Sequence, residues 1–253
     1  MQSRSDCSIK DVTPREIEPA PSTAQEVNKQ NLSTIKSKQF FQNKSPSNLR
    51  CGLLNVRYAT NKTALIHDTI DENNLDILVM TEVNIAHDAP AAIKNDSAPD
   101  GFLCIHAHRL GRKKKSGGGI AIVHNNRIKV TVTDSPRCET FETLCVKVIT
   151  GSRRVNIIVV YRPPDTKANT LFFTELATLW DLINSSPGDL MVCGDFNCPG
   201  EVIGTIDARL LLMAEDCGYT QLVTKPTRKE NILDLVFCRS TSQIINKIMV
   251  SDI

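Results

Sequence analysis

The sequence lacks the features of several protein classes. No apolar run approaches the roughly 20 residues that a membrane-spanning helix needs. The N-terminal stretch MQSRSDCSIKDV contains no apolar segment of the kind found in secretory signals. None of the nine cysteines lies in a CxxC pair, and no His-x-x-x-His motif accompanies them, which argues against a zinc site. An odd number of cysteines without a secretory signal favours a reduced, intracellular protein of the nucleus or cytoplasm.

A broad excess of charge of one sign is also missing. The formal net charge is +2, and residues 1–48 hold seven basic and five acidic residues, which leaves 23 of each for residues 49–253. A neutral folded part has no global basic field, so any contact with nucleic acid must be local. The three glycines at 117–119 are not followed by the Gly-Lys-Ser/Thr of a P-loop, and they favour a tight turn into the apolar run after them.

The composition divides the chain near residue 48. Residues 1–48 are rich in Ser, Thr, Gln, Asn, Lys and Pro and show no sustained apolar periodicity. Such a segment cannot bury enough apolar surface to offset the entropy of ordering, so a disordered tail is expected at 1–48 and a single folded domain at 49–253.

The folded part alternates between short apolar runs and helical patterns. The runs predict strands in CGLLNV, LDILVM, GGIAIVHN, TLCVKVIT, VNIIVVY, DLMVCG, ILDLVFC and IINKIMV. Helices are predicted for Lys62–Asn73, Ala168–Asn184 and Ile206–Cys217, with Trp180 of the second helix as a core residue. Many strands with few helices predict an α/β fold in which a two-layer β core is flanked by helices.

The most informative stretch is LMVCGDFNCPG at residues 190–200. A short buried strand runs into a turn, where Asp195 and Asn197 follow the strand end. Asp195 can orient or deprotonate a water molecule, and Asn197 can donate to a phosphoryl oxygen. The alternative is an Asx-turn in which both side chains only cap the loop backbone, and this segment alone favours neither interpretation.

Other polar side chains recur at the ends of apolar strands. The set comprises Asn55, Glu82, Tyr161, Asp195, Asn197, Asp234 and Asp252. One such residue is an ordinary strand terminator, but seven suggest that one end of a sandwich is lined with acceptor groups. Four carboxylates with amides form a hard-oxygen site suited to Mg²⁺ or Mn²⁺, which often accompanies phosphate ester hydrolysis.

The ordered motifs resemble a known family. LLNVRYATNK, DILVMTEV, GGGIAIV, VVYRPP, GDFN, PTRKENILDLVF and VSD occur in the order found in the endonuclease/exonuclease/phosphatase family. Within that family the chain is most similar to the endonuclease domain of non-LTR (LINE-type, jockey-like) retrotransposon proteins. The resemblance implies a four-layer α/β sandwich that cleaves phosphodiesters with Mg²⁺, with DNA as the substrate.

The resemblance also implies a role for each matched residue. Metal binding is implied for Asn55, Glu82 and Asp252. The catalytic roles fall on Tyr161 and Asn197 as phosphate contacts, on Asp195 as the residue that aligns the water, and on Asp234, which in relatives orients a histidine. Thr227 matches a polar residue on the substrate side.

The chain departs from the family pattern at its last motif. The family has Ser-Asp-His followed by one more strand, whereas this sequence reads Ser251-Asp252-Ile253. The missing histidine would stabilise charge or take a proton in the transition state. The expectations are therefore a domain truncated relative to its family, without the last strand, and cleavage that is weak or absent. The alternatives are an inactive DNA- or protein-binding remnant and a phosphatase of the same family.

A basic segment precedes the glycines. It contains Arg109, Arg112, Lys113, Lys114 and Lys115. Arg112, Lys113 and Lys114 are interpreted as contacts to the DNA backbone. The alternative is a solvated hairpin tip whose lysines discourage edge pairing.

Overall fold

The computed structural model describes residues 48–107, 118–151, 153–164 and 169–251. Ten strands in these ranges form two sheets, with helices on their outer faces. No helix within these ranges is long and apolar enough to cross a membrane. The expectations for the tail at residues 1–47 and for Arg112, Lys113, Lys114 and Asp252 lie outside the described residues.

The first sheet has four strands in the order β1-β2-β4-β3. These are β1 (Cys51–Asn55), β2 (Ile77–Thr81), β3 (Phe102–Ala107) and β4 (Ile120–Asn125). β1 and β2 are parallel, and helix α1 (Thr63–Glu72), preceded by a 3₁₀ turn at Ala59–Asn61, connects them. β4 pairs antiparallel with both β2 and β3, and the short helix α2 (Ala91–Asn95) precedes β3.

The second sheet has six strands in the order β5-β6-β7-β8-β10-β9. They are β5 (Lys129–Thr133), β6 (Glu142–Thr150), β7 (Arg153–Tyr161), β8 (Asp189–Asp195), β9 (Tyr219–Gln221) and β10 (Asp234–Arg239). β7 and β8 are parallel and are connected through helix α3 (Thr170–Asn184), while β8 and β10 are antiparallel. Helix α4 (Ala208–Asp216) lies between β8 and β9 in the chain.

Three apolar clusters separate four layers. Ile66 and Ile70 of α1 pack on the outer face of the first sheet. Ile77 and Val79 of the first sheet meet Val159 of the second in a cluster between the two sheets. The largest cluster fills the space between the second sheet and the two helices α3 and α4. This arrangement confirms the expected four-layer α/β sandwich.

Helix α3 shows how the sequence specifies the outer layer. Asn169 caps the helix by accepting a hydrogen bond from the backbone N–H of Phe172 at 3.0 Å. The buried residues recur at helical spacing and comprise Phe172, Leu176, Leu179, Trp180 and Ile183. Trp180 is fully buried and stacks on Tyr219 with ring centroids 5.8 Å apart, which confirms it as a core residue. Burying side chains of this size contributes about 1.5–3 kcal/mol each.

Some elements differ from the sequence-based prediction. The three predicted helices are present, each within one or two residues of its observed bounds. Strands β3, β5 and β9 and helix α2 were not predicted. The predicted strand in IINKIMV is wrong, because residues 240–251 contain no strand. Ile248 and Val250 pack against the cluster between the second sheet and helices α3 and α4, while Met249 is 75% exposed. The alternating apolar pattern therefore arises because one side of this segment is buried, although the segment pairs with no strand of the described residues.

Candidate active site

Four polar residues form a row across one end of the second sheet. Glu142 pairs directly with Tyr161, Tyr161 with Asp195, and Asp195 with Asp234. Directly paired residues project from the same face of a sheet. Tyr161 belongs to the cluster between the two sheets, so the row faces the first sheet.

The matching end of the first sheet contributes Asn55 and Glu82. Asn55 ends β1 and pairs with Thr81, and Glu82 follows Thr81 with a left-handed φ of 56°. The Asn55 side-chain amide donates to Glu82 Oε1 at 2.7 Å and to Asp195 Oδ2 at 2.6 Å. One amide therefore joins the carboxylates of the two sheets.

Asp195 is the most enclosed of these acids. Its side chain is fully buried, and Oδ2 accepts a second hydrogen bond from Arg228 at 2.9 Å, which forms an ion pair. Burial raises the pKa of Asp195 above its ordinary value, while the charge of Arg228 and the hydrogen bond from Asn55 oppose that rise. The two donors thus favour the ionised carboxylate and act against the effect of burial.

Asn197 combines a turn with contacts to its neighbours. Its φ is 43°, and its backbone N–H donates to Asp195 Oδ1 at 3.1 Å, which is the contact of an Asx-turn. Its side-chain amide donates to the backbone carbonyl of Arg162 at 2.7 Å. The capping interpretation of GDFN therefore describes the local backbone, while both side chains also face the polar end of the sandwich.

The Arg162 guanidinium lies in the protein interior and contacts the backbone of the loop after β8. It is 2% exposed, donates to the carbonyls of Phe196 and Asn197, and lies 5.0 Å from the centroid of the Phe172 ring. This arginine stabilises the loop that carries Asn197.

Asp234 and Thr227 belong to the adjoining strand and loop. The Thr227 hydroxyl accepts hydrogen bonds from the backbone N–H groups of Leu233 and Asp234, at 3.1 and 3.0 Å, and so holds the start of β10. Burial, assisted by the charge of Asp195, raises the pKa of Asp234 to about 6. Asp234 Oδ1 is buried and has no hydrogen-bond partner among the described residues.

Two acceptor groups of the site, an amide oxygen and a carboxylate, are of the kind that bind a hard divalent cation. Within the described ranges, no group of three or more His, Cys, Asp or Glu residues could hold a metal. Asn55 Oδ1, however, is a buried acceptor without a partner in the described part of the chain, and it belongs to the amide that contacts Glu82. An amide oxygen beside a carboxylate is a donor set that Mg²⁺ or Mn²⁺ prefers.

Two residues of this region were not predicted as part of the site. Arg228 contacts Asp195, and Glu142 accepts a hydrogen bond from the Gly119 N–H at 2.6 Å. The segment PTRKEN looks like a solvated charged loop, and only the fold brings Arg228 to Asp195. Glu142 begins an apolar strand, and the only signal that places it in the row is the pairing of that strand, in which Glu142 lies opposite Tyr161.

The fold and this oxygen-rich site define a class of protein. Residues 47–244 match the model of the Endonuclease/Exonuclease/phosphatase family, and the chain therefore belongs to that family. The family comprises enzymes that cleave phosphoester bonds, as its name states. No curated protein sequence matches the chain.

Solved structures similar to this chain share the fold. The endonuclease domain of TRAS1, a telomere-specific non-LTR retrotransposon, is 15% identical with a TM-score of 0.56, covering 75% of this chain and 84% of that domain. An AP endonuclease from Archaeoglobus fulgidus is 14% identical with a TM-score of 0.54, covering 76% and 87%. A mannosyl-6-phosphatase from Bacteroides thetaiotaomicron is 12% identical with a TM-score of 0.55, covering 77% and 86%.

Proposed function

We propose that this protein is a divalent-metal-dependent phosphodiesterase that nicks DNA, of the type found in non-LTR retrotransposons. The observation that carries the proposal is the Asn55 amide, which joins Glu82 and Asp195 across the two sheets. The amide holds Glu82, the proposed cation ligand, and Asp195, the proposed water-orienting residue, at a fixed separation. Catalysis depends on such fixed geometry.

Each residue has a proposed role in the reaction. Glu82 and Asn55 would hold Mg²⁺ or Mn²⁺, together with Asp252, which lies outside the described residues. The bound cation would polarise the phosphate and neutralise charge on the leaving oxygen. Asp195, whose carboxylate accepts hydrogen bonds from Arg228 and Asn55, orients the attacking water and accepts its proton.

The remaining residues are proposed to contact the substrate or to support the residues that do. Tyr161 and Asn197 hold the phosphate in place beside Asp195. Asp234 and Thr227 support that end of the sheet, where Thr227 fixes the backbone from which Asp234 projects. The DNA backbone is proposed to contact Arg112, Lys113 and Lys114, which also lie outside the described residues.

The proposal is tested by nicking of supercoiled plasmid DNA in Mg²⁺ and in Mn²⁺. Asp195→Asn should lower the nicking rate by about 10² to 10⁴, the usual contribution of a general base. Asp216→Asn is the matched control, because Asp216 is exposed at the end of α4. Equal and detectable nicking by wild type and Asp195→Asn would remove Asp195 from the mechanism, and nicking undiminished by EDTA would remove the metal. The absence of nicking by wild type would reject the proposed catalysis.

DNA binding without cleavage is a second candidate function. Ile253 favours it, because it stands where the family motif has histidine. Under this alternative the protein retards a DNA duplex in gel-shift experiments but leaves the plasmid intact, and Ile253→His raises nicking. A phosphatase of the same family that acts on lipids or inositol phosphates would instead release inorganic phosphate from an inositol phosphate without nicking the plasmid.

A further inference from the structure

We propose that Arg228 is a substrate-binding residue whose guanidinium contacts a phosphoryl oxygen of DNA while it remains paired with Asp195. This inference rests on the proposed function and adds a residue to its site. It also implies that the site holds a phosphate group in the absence of a divalent cation.

The guanidinium retains hydrogen-bonding capacity. It donates to Asp195 Oδ2 at 2.9 Å and, at the long distance of 3.4 Å, to Asn197 Oδ1. These are its hydrogen bonds within the described residues, and they use two of the five N–H groups of an arginine. The Asp195 side chain is fully buried whereas that of Arg228 is 24% exposed, so part of the arginine side chain is accessible to a ligand while its ion-pair partner is not.

The backbone of Arg228 is fixed by its own loop. The N–H of Arg228 donates to the carbonyl of Asn231 at 3.1 Å, and the N–H of Asn231 donates back to the carbonyl of Arg228 at 3.0 Å. Thr227 also donates to the Asn231 carbonyl and accepts from the backbone at the start of β10. A guanidinium on such a loop, held at one end by a buried carboxylate, loses little additional freedom when it binds an anion.

The charges of the site require a cation at this position. The carboxylates of Glu82, Asp195 and Asp234 lie at the same end of the sandwich, and each phosphate of DNA carries a negative charge. The guanidinium of Arg162 is buried and donates to backbone carbonyls. Arg228, in contrast, contacts the Asp195 carboxylate and is partly exposed to solvent.

Arginine suits this double contact better than lysine does. The guanidinium is planar and presents its N–H groups in a fork, so one edge can hold a carboxylate while another meets a phosphoryl oxygen. A lysine ammonium keeps the charge but lacks this fork.

The test measures DNA binding instead of cleavage. The equilibrium constant for binding of a fluorescein-labelled 20-base-pair duplex is measured in EDTA by fluorescence anisotropy over a range of salt concentrations. For Arg228→Gln we expect weaker binding on the order of tenfold. The slope of log K against log salt should become less steep by about one, the effect of losing one phosphate contact. Arg228→Lys should keep the wild-type slope and bind more weakly than wild type.

Arg153→Gln is the matched control. It removes the same charge from an exposed position at the opposite end of β7 from Tyr161, so it reports the general effect of net charge. A slope change for Arg228→Gln no larger than that for Arg153→Gln would overturn the proposal, as would a wild-type protein that does not bind the duplex.

A second pair of variants tests the role of Arg228 without the loss of stability that Arg228→Gln alone can cause. Arg228→Gln leaves the buried Asp195 carboxylate unpaired, which can destabilise the protein. The comparison of Asp195→Asn with the double variant Asp195→Asn and Arg228→Gln avoids this unpaired charge, and the same slope difference is expected between them. A difference of about one without plasmid nicking by wild type would support Arg228 and reject the proposed catalysis. Nicking by wild type with no slope difference would support the catalysis and reject the role of Arg228.

Discussion

At the scale of single residues, Asn55 connects the parts of the candidate site that come from the two sheets. Its amide donates to a carboxylate of each sheet, at 2.7 and 2.6 Å, and the Asn55–Asp195 contact is partly buried. Two carboxylates this close to one another repel, and the amide dipole between them lowers that repulsion. The side chain therefore stabilises the fold as well as the site.

We predict that Asn55→Ala lowers the free energy of unfolding by about 1–3 kcal/mol at pH 7, because Glu82 and the buried Asp195 each lose a hydrogen-bond donor. Urea denaturation followed by circular dichroism measures the change. Asn126→Ala is the control, since Asn126 is exposed and a surface substitution of this kind should shift stability by less than about 0.5 kcal/mol. Equal stability of the two variants would show that the Asn55 contacts contribute nothing.

A second residue-scale prediction concerns Asp234. Its pKa is raised to about 6 from an ordinary value of 3.8, so the folded state favours the neutral acid. The stability that comes from keeping Asp234 neutral is complete below its ordinary pKa and is lost as pH rises through 6. The loss corresponds to about 3 kcal/mol at most, from 1.36 kcal/mol per pKa unit.

Asp234→Asn cannot ionise and should escape this loss. In EDTA, the variant should therefore gain stability relative to wild type as pH rises from 4.5 to 7.5, which urea denaturation at each pH would show. Asp216→Asn, at an exposed position, should follow the wild-type pH dependence. Parallel curves for wild type and Asp234→Asn would contradict the raised pKa.

At the scale of elements, the position of Asp195 at the end of β8 depends on a close contact between the backbones of β8 and β7. Gly194 has a φ of 143°, and a Cβ atom there would lie 1.9 Å from the carbonyl oxygen of Val160. That distance is far below any real contact, and the obstacle is backbone, which cannot turn aside. Glycine is therefore required immediately before Asp195.

Gly194→Ala should accordingly be strongly destabilising, by more than about 3 kcal/mol, or should prevent folding. Gly151→Ala is the control, because it carries the cost of placing alanine at a positive φ but not the steric clash. Gly151 has a φ of 57°, but a Cβ atom there would meet none of the described residues within 4 Å, so we expect a loss of only about 1–2 kcal/mol. Similar losses in the two variants would show that β7 and β8 can separate without cost.

The same elements show which parts of the fold the sequence could predict. Strands such as β2 and β4 are buried along almost their whole length, and their continuous apolar runs were recognised. Strands β3 and β5 lie at sheet edges with mostly half-buried or exposed residues, so their local pattern carries little signal. Acids and amides at strand ends were predicted because strand ends converge, whereas the Arg228–Asp195 pair depends on a loop path that no local pattern reveals.

At the scale of the whole molecule, the candidate site draws its residues from both sheets. Asn55 ends a strand of the first sheet and Glu82 directly follows the neighbouring strand, whereas Asp195 belongs to the second sheet. A cation bound at this junction, as proposed, would stabilise the folded chain over the unfolded chain, in which these residues are far apart.

We predict that Mn²⁺ raises the thermal midpoint of the wild-type protein. At ten times the dissociation constant the gain is about 1.4 kcal/mol, and it should be lost in Glu82→Gln. Glu215→Gln, which alters an exposed acid on α4, should respond to Mn²⁺ as wild type does. An undiminished shift in Glu82→Gln would remove Glu82 from the proposed metal site.

The hydrogen bond between Asn55 and Asp195 spans 140 positions of the chain. At about 5–20 residues per second, a ribosome needs roughly 7 to 30 seconds to translate that interval. The last strand of the first sheet, β4, is complete only once Asn125 has been translated. From then until the second sheet is complete, the inner face of the first sheet, which includes Ile77 and Ile120, lacks the apolar partners it has in the folded protein. Arg228 and Asp234 emerge later still, so a partly translated chain holds no assembled site and depends on timely completion of the second sheet.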